Sequence, residues 1–505
     1  MKLLALRLCE HDSNISYFDG EKLHYYKSER RHQVKHHAIN DLHNWKQEIF
    51  DVWGVDYNDI DEIAIVIDPW RYNLPLNEEE FFPGIEYKFL DVNKKTKVYR
   101  VNHHWAHALS IFPHYKLEDE RPEYDFVIDG FGDENNAWTV FKNGVPYKRG
   151  YLDKNGSLGQ AMGRAGMWLG VKYIHEMDIA GKVMGLQSYG NFDKKFYDEI
   201  KQYDMYSVDK LFNIMNFEKY YNDELIAKLK PLDWIRTVHE RAGEVLLKFF
   251  EEITEKDYNA KISYSGGVAM NVIWNTILKE KFKNLIIPPH CADDGISLGA
   301  IEFLRRRNNL EPFKLENFPF IQSDEKPETE LSNDTAKQVA KLLADGKVVA
   351  VYQNNGEIGP RALGHRSVLM NPTIPFAKQI VNVIKKRENY RPFGASILKE
   401  YQKQYFSTDI ENPYMLYVGK PTKDNLESIT HVDGTCRYQT VDESNKVLHM
   451  ILTEFCKLTG VPVLLNTSFN VGGKPIIASV EDSLEYFNNS ELDNLVVGDT
   501  VYKKT

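Results

Sequence analysis

The sequence predicts an α/β protein in two parts. The first is a domain of two related subdomains around a ligand cleft, and the second is an independent α/β domain. Three observations carry this. A strand, a polar turn and a hairpin occupy residues 3–27. The same order restarts at Tyr124, with an acidic glycine turn at Asp129-Gly130 and a hairpin through Asn143-Gly144. Residues 305–335 are then polar, proline-bearing and aperiodic, and helix and strand patterns resume beyond them.

Taken in order, residues 3–8 read as a buried strand, and His11-Asp12 interrupt the run too soon for a signal peptide. Residues 9–14 form the polar loop, residues 15–18 pair back, Asp19-Gly20 turns, and residues 23–27 are the third strand. This order is similar to the phosphate-cradling first loop of the actin and sugar-kinase superfamily. Residues 28–37 are a basic, polar run, placed to be a solvated face or to line a pocket. Residues 63–67 and 97–101 are strands, and the second feeds a helix carrying His103, His104 and His107. Glycine-rich helical turns follow at residues 155–159 and 181–186, where Gly181 and Lys182 allow close helix packing or approach to a phosphate. A long helix over residues 231–256 precedes a strand at 262–265 that ends in Gly266-Gly267 and a helix start. Backbone amides at such a turn suit a nucleotide phosphate. A last strand at 285–289 is closed by His290-Cys291-Ala292-Asp293-Asp294-Gly295. The expected domains are 1–310 and 336–505, joined by a linker over 311–335.

Bulk properties exclude several classes. The chain has 505 residues, 42% hydrophobic and 27% charged, ordinary for a soluble protein too long for one core. A net charge of −10 argues against a broad nucleic-acid or membrane coat but leaves room for a local basic pocket. Cys9, Cys291, Cys436 and Cys456 form no CxxC pair, so neither a disulfide framework nor a thiolate zinc site is expected, and a reducing cytoplasm is. No apolar run is long enough to span a bilayer.

His103 and His107 stand four residues apart at a helix start, so both imidazoles can face one point. Such a pair is a metal half-site lacking one or two ligands, although spacing alone leaves a packing or hydrogen-bonding role open. His104 projects about 100° away from the pair.

The motifs, in order, are His11-Asp12-Ser13, Arg30 with Lys35-His36, the His103/His107 pair, Gly181-Lys182-Val183-Met184-Gly185-Leu186, Ser265-Gly266-Gly267-Val268-Ala269-Met270-Asn271 and Asp293-Asp294-Gly295-Ile296-Ser297-Leu298-Gly299-Ala300. The C-terminal part adds Gly359-Pro360-Arg361-Ala362-Leu363-Gly364-His365-Arg366-Ser367, Arg391-Pro392-Phe393-Gly394, His431-Val432-Asp433-Gly434-Thr435-Cys436-Arg437 and Leu464-Leu465-Asn466-Thr467-Ser468-Phe469-Asn470. In this order they resemble, nearly end to end, the O-carbamoyltransferases that include nodulation protein U and the enzymes carbamoylating tobramycin, cephamycin and ansamycin antibiotics.

That resemblance implies an N-terminal actin-like (ASKHA) domain, similar to the tRNA threonylcarbamoyl-transfer enzymes, and a C-terminal YrdC-like domain. It implies that ATP, with magnesium, and carbamoyl phosphate give carbamoyl-adenylate in the second domain, and that the first domain passes the carbamoyl group to a hydroxyl. Arg361, Arg366, Lys385, Arg387, Arg391 and Arg437 supply the cations that several phosphates require, with Asn466, Ser468 and Asn470 beside them, and Arg361 counted as catalytic. By the same resemblance His103, His107, Asp129 and Asp293 bind a divalent metal, iron first, with manganese or zinc as alternatives. Asp294 can replace Asp293, and His290-Cys291 are further ligand types nearby. His11 or Asp12 is the expected base. Lys35, His36 and Lys182 line the adenylate or acceptor pocket, while Gly266, Gly267 and Asn271 hold the adenosine end. The acceptor stays open among small molecules, sugars and hydroxymethylated bases in DNA, for which Lys27, Arg30, Arg31 and Lys35 offer a local basic patch. No membrane partner is expected, and a homo-oligomer is compatible. Alternatives are a tRNA threonylcarbamoyladenosine-type enzyme and a non-catalytic actin-like nucleotide-binding protein.

Overall fold

The computed structural model describes residues 1–68, 85–86, 90–93, 95–115, 120–202, 206–207, 210–211 and 230–504. They form a mixed α/β protein of two compact units, one of Met1–Ser28 with His36–Leu315, the other of Glu29–Lys35 with Glu316–Thr505.

The first unit contains the same sheet twice. Strands β1 (Leu3–Arg7), β2 (Asn14–Phe18) and β3 (Leu23–Lys27) form an antiparallel meander. Beside β1 lie β4 (Glu62–Val66), parallel, then β6 (Lys97–Arg100), parallel, then the short β5 (Ile85–Glu86). In the second sheet β7 (Tyr124–Ile128), β8 (Asn136–Lys142) and β9 (Val145–Tyr151) repeat the meander. β12 (Ile262–Ser265) and β13 (Leu285–Ile286) then extend it in parallel on the β7 side; β10 (Tyr206–Ser207) and β11 (Lys210–Leu211) are a separate hairpin. The internal repeat expected from the two strand–turn–hairpin runs is therefore a repeat of topology. Its local cause is patterning: Leu4, Leu6, Ile63 and Ile65 alternate into one core with Ile15, Trp45 and Ile49.

Both sheets put acidic or polar turns at the ends of their central strands, and helix α1 (His103–Leu109) follows β6. Asn102 caps α1, its side-chain oxygen accepting the Trp105 backbone N–H at 3.1 Å. All seven residues of α1 are buried, so its histidines must find partners inside the protein. Gly299, in α6 (Ile296–Arg307), crosses α1 so closely that a Cβ there would lie 1.7 Å from the Ala106 carbonyl oxygen. Helices α2 (Leu158–Trp168), α3 (Ile179–Leu186), α4 (Pro231–Ile253) and α5 (Val272–Lys281) complete the unit's main elements.

The second unit is built on an eight-stranded mixed sheet. Its order is Val418–Gly419 (β17), Cys436–Val441 (β18), Gly394–Leu398 (β16), Val463–Ser468 (β19), Arg366–Met370 (β15), Val349–Tyr352 (β14), Asn494–Val497 (β20), Thr500–Lys503 (β21). Both faces are apolar: Ala350, Tyr352, Val368 and Leu465 enter one core, and Val349, Val351, Leu369 and Leu464 enter the other. Helices α7 (Asn333–Ala344) and α9 (Lys446–Thr459) cover the second face, and α8 (Ala377–Lys385) packs on the first.

Two stretches behave differently from their composition. The basic run at 28–37 is solvated only in part: Arg31 and His32 are exposed, while Arg30 within it and Lys27 beside it are buried. Arg30 donates from Nη2 to the carbonyls of Glu357 (3.2 Å) and Gly359 (3.0 Å), which ties residues 29–35 to the second unit. The surface basic patch expected from Lys27, Arg30, Arg31 and Lys35 therefore loses two of its four members. Within 311–335, Phe320, Ile321 and Leu331 are buried, and Phe320 stacks on His365 with ring centroids 3.6 Å apart. A few apolar side chains anchor that otherwise polar stretch to the second unit. Among the described residues no helix is long and apolar enough to cross a membrane.

Candidate functional site

In the first unit four side chains converge from three turns. His103 and His107 come from one face of α1, Asp129 from the turn after β7, and Asp293 from the turn Asp293–Gly295 that opens α6. His103 Nε2 lies 3.3 Å from Asp129 Oδ2 and 3.6 Å from Asp293 Oδ1. His107 Nε2 lies 3.2 and 3.3 Å from the same two oxygens. One donor atom from each residue falls within 4.8 Å of all the others, and all four residues are buried. Neither ring nitrogen of His107 meets hydrogen-bond geometry to any described group. Two imidazoles and two carboxylates sharing so small a space form a donor set for a divalent ion.

The electrostatics agree. Burial opposes charge on Asp129, but His103 and His107 outweigh it and hold the carboxyl well below the usual range. Asp293 is lowered for the same reason, with burial again opposing and His103 foremost among the groups that lower it. Burial also opposes the charged form of His107, yet the two carboxylates raise it to about 9. Asp129 Oδ1 is held by the backbone N–H groups of Gly130 (2.7 Å) and Gly267 (3.1 Å), leaving Oδ2 toward the histidines.

Arg7 does the same for Asp293. Its buried guanidinium donates to Asp293 Oδ2 at 3.1 Å and also pairs with Glu10, so Oδ1 faces the imidazoles. Behind α1, Asp133 accepts from Arg100 (2.8 Å), Asn102 (3.0 Å) and the His103 backbone N–H (3.4 Å), fixing the first turn of the helix. Groups that orient ligands in this way are worth about 10- to 100-fold in metal affinity. Arg7→Met is therefore expected to weaken binding of a divalent ion to the purified chain by about that factor, read by titration against a metallochromic chelator; unchanged affinity would count against the clamp.

Of the alternative ligands, Asp294 lies 3.9 Å from Lys27 Nζ and outside the cluster. His290 Nε2 is 2.9 Å from the Ser110 carbonyl oxygen, and the Cys291 thiol donates to Met270 Sδ at 3.5 Å. His104 places Nδ1 2.9 Å from Thr139 Oγ1.

Beside the cluster lies a chain of imidazoles and carboxylates. His11 Nδ1 is 3.0 Å from Asp12 Oδ2, and His11 Nε2 is 3.8 Å from Asp293 Oδ2. Asp12 is also 3.0 Å from Lys27 Nζ and 2.8 Å from His36 Nδ1. Burial opposes its charge, but Lys27 and His36 keep it well below the usual carboxylate range, which makes it a weak base. His11 is the member with an imidazole nitrogen turned toward the cluster.

The remaining expected residues of this unit have local partners. Lys182 donates to the Lys172 carbonyl at 2.6 Å. Gly266 has φ +92°, and a Cβ there would sit 2.3 Å from the Ile128 carbonyl oxygen. Asn271 caps α5, accepting from the N–H groups of Ile273 and Trp274, and its amide nitrogen lies 2.9 Å from His239 Nε2. Lys35 is part of the second unit.

The second unit gathers cations. Burial and the neighbouring Arg361, Arg387 and Arg391 push Arg437 well below its usual range. Among the described residues its side chain has no hydrogen bond or ion pair, and its Nε is buried. Burial, then Arg387 and Arg391, likewise lowers Lys385. Burial and Arg391 lower Arg387 to about 9. Lys385 Nζ is gripped by Ser468 and by Asn470, whose side-chain oxygen also accepts from Ser468 Oγ at 2.7 Å. On the sheet Arg437 and Asn466 flank Gly394 on its two sides. Asn466 donates to Ser396 Oγ at 2.9 Å, and its own buried Oδ1 has no partner among the described residues. So many cations with so little acid among them repel one another unless an anion joins them. Arg391 has Glu388 at 3.5 Å.

Arg366 is held elsewhere. It donates to the carbonyls of Gln353, His365 and Asn354, lies 3.5 Å from Asp324, and stacks 3.6 Å from the Tyr352 ring.

Some contributors escaped the sequence reading. Lys378 on α8 is also lowered by burial and by Arg387, and no motif marks it. Glu357 is fully buried, and its Oε1 accepts the backbone N–H groups of Leu363 (2.7 Å), His365 (2.9 Å) and Arg366 (3.1 Å), shaping the loop that carries Arg361. Arg7 had a signal, a cation inside an otherwise apolar strand, Leu6-Arg7-Leu8.

Known proteins match both units. Residues 72–301 match the family described as carbamoyltransferase N-terminus, and residues 340–504 match carbamoyltransferase C-terminus. The chain is 30% identical to nodulation protein NolNO of Sinorhizobium fredii, over 96% of this chain and 78% of that one. It is 31% identical to nodulation protein NolO of Bradyrhizobium diazoefficiens, over 80% and 79%. A third relative is 3'-hydroxymethylcephem-O-carbamoyltransferase of Amycolatopsis lactamdurans, 33% identical over 52% of each chain.

Proposed function

The chain belongs to the carbamoyltransferase family and is a transferase, and on that premise we propose an ATP-dependent O-carbamoyltransferase with two sites. The second unit, read as YrdC-like, makes carbamoyl-adenylate from ATP and carbamoyl phosphate. The first unit, read as actin-like from its doubled sheet, transfers the carbamoyl group to an alcohol.

One observation carries the first step: Arg361, Arg387 and Arg391 crowd around the buried Arg437. A site that binds a nucleoside triphosphate and an acyl phosphate together needs such charge, and Arg361, Lys378, Lys385, Arg387, Arg391 and Arg437 supply it. By atom balance, water splits carbamoyl phosphate into carbamate and inorganic phosphate, a carbamate oxygen then bonds the α-phosphorus of ATP, and pyrophosphate leaves. The cations neutralise the charge that gathers on the phosphates.

For the second step His103, His107, Asp129 and Asp293 would hold a divalent ion, with iron, manganese and zinc all suited to two imidazoles and two carboxylates. When bound, such an ion supplies a Lewis acid at the site. Neutral His11 takes the proton of the acceptor hydroxyl through Nε2, and the Asp12 carboxylate, 3.0 Å from Nδ1, accepts a hydrogen bond from the Nδ1–H and steadies the imidazolium. The acceptor oxygen then bonds the carbamoyl carbon and AMP leaves. Arg7 and Asp133 keep the ligands in place.

Incubating the chain with ATP and carbamoyl phosphate, without an acceptor, tests this. Pyrophosphate release that requires carbamoyl phosphate is expected. Intact ATP binding without that release would remove the reading.

A further inference from the structure

On one face of the second unit's sheet, Gln439 of β18, Ser396 of β16 and Asn466 of β19 are buried and joined by hydrogen bonds that run in one direction. The direction starts at a backbone carbonyl, which can only accept. The Leu363 carbonyl takes Asn445 Nδ2 at 2.7 Å and Gln439 Nε2 at 3.0 Å. Turning the Gln439 amide round would set two oxygens against each other, and Asn445 Oδ1 is committed to the Leu448 N–H at 3.3 Å. Gln439 Oε1 therefore faces Ser396 and accepts its hydroxyl at 2.8 Å. The Ser396 oxygen in turn accepts Asn466 Nδ2 at 2.9 Å. Gln439 Oε1 and the Ala362 carbonyl oxygen each lie 3.4 Å from that same nitrogen. With oxygens all around Nδ2, the sense of the Asn466 amide is fixed by its surroundings. Oδ1 is left outside the row, buried and without a partner among the described residues.

A buried acceptor in that state costs free energy until a donor reaches it. Its position says which donor. Asn466 and Arg437 flank Gly394 on the neighbouring strands, so their backbones are about 10 Å apart at two strand spacings. Gly394 puts no side chain between them, and Met415 Sδ, 3.3 Å from where a Cβ would stand, has no proton to give. Ala362, which contacts the amide, follows Arg361, one of the cations beside Arg437. A ligand that satisfies Oδ1 here carries an N–H within a few bonds of a phosphate. The amino group of carbamoyl phosphate meets that condition, while the adenine amino group of ATP stands a whole ribose away from its phosphates.

Resting on the reading of this unit as the carbamoyl phosphate site, we infer that Gln439, acting through Ser396, is a positioning residue that fixes Asn466 Oδ1 as the acceptor for the substrate's amino group. The row thereby makes the site distinguish a carbamoyl group from an acetyl group of the same shape.

The test titrates phosphonoacetamide and acetonylphosphonate into the full chain by calorimetry. The two differ only in an amino group against a methyl group, and their P–C bond blocks hydrolysis. Wild type is expected to bind phosphonoacetamide about tenfold or more tightly than acetonylphosphonate. In Asn466→Leu and in Gln439→Leu that preference should vanish while acetonylphosphonate still binds. A lesion that only loosened the fold would weaken both ligands alike and leave the preference in place. Equal binding by wild type, or a preference that survives in both variants, would overturn the inference. So would a loss in Asn466→Leu of preference for ATP over inosine triphosphate, because that would put the adenine amino group at Asn466. Pyrophosphate release separates the two readings. Wild type that prefers phosphonoacetamide yet releases no pyrophosphate would remove the adenylate step and keep the amide assignment; release without the preference would do the reverse.

Discussion

Replacing His107 with alanine should reduce carbamoyl transfer by more than about 100-fold while pyrophosphate release continues near the wild-type rate. The residue sits between two buried carboxylates, at 3.2 and 3.3 Å, and is one of only two imidazoles in the cluster. On the proposed division of sites, its removal takes a ligand from the transfer site and leaves the cation cluster of the other unit untouched. Divalent-ion content, measured after dialysis, should fall with the activity. The pH dependence follows in sign. Without metal His107 is raised to about 9, so near pH 7 it carries a proton that an incoming ion must displace. Metal uptake should release protons at neutral pH, and affinity should climb as pH rises toward 9. Loss of pyrophosphate release together with transfer would mean that the two steps are not divided between the units.

Arg437→Met should have the opposite signature, abolishing adenylate formation while making the unliganded protein more stable. Wild-type Arg437 is pushed down by burial and by three neighbouring guanidinium groups, and its side chain has no described counter-ion. Methionine keeps the aliphatic length and removes the repulsion, so Tm without ligand should rise by roughly 2 °C or more. Removing one charge donor from a phosphate-transfer site costs on the order of 100- to 1,000-fold in rate. ATP with carbamoyl phosphate should stabilise the wild type and leave the variant's Tm unmoved. A variant that loses both activity and stability would instead make Arg437 a structural residue.

Much of this was written in local pattern. The two meanders could be read because alternating apolar residues and Asp-Gly or Asn-Gly turns force them, as at Leu4, Leu6 and Asn143-Gly144. The histidine pair was legible because α1 begins at His103 and a helix turns positions four apart onto one face. Asp129 and Asp293 came from the family resemblance, and the repeat explains their placement: each follows a strand of the same doubled sheet. Long-range partners were not legible. Nothing in the run 28–37 announces that Arg30 is spent on carbonyls at Glu357 and Gly359. An arginine in a basic motif does not say where it points, and Arg366 turns to carbonyls and Tyr352 while Arg437 stays among cations. Asn271, read as a ligand for adenosine, caps a helix, because the first-turn N–H groups of α5 need an acceptor wherever else the residue might serve.

On the proposed reading, one chain makes an activated carbamoyl group at its cation cluster and transfers it at its histidine–carboxylate cluster. The most direct measurement is mass spectrometry of the small molecules formed by His107→Ala with ATP and carbamoyl phosphate. Carbamoyl-adenylate should accumulate in step with pyrophosphate. Pyrophosphate without carbamoyl-adenylate or its AMP breakdown product, or neither product at all from a folded variant, would contradict the account.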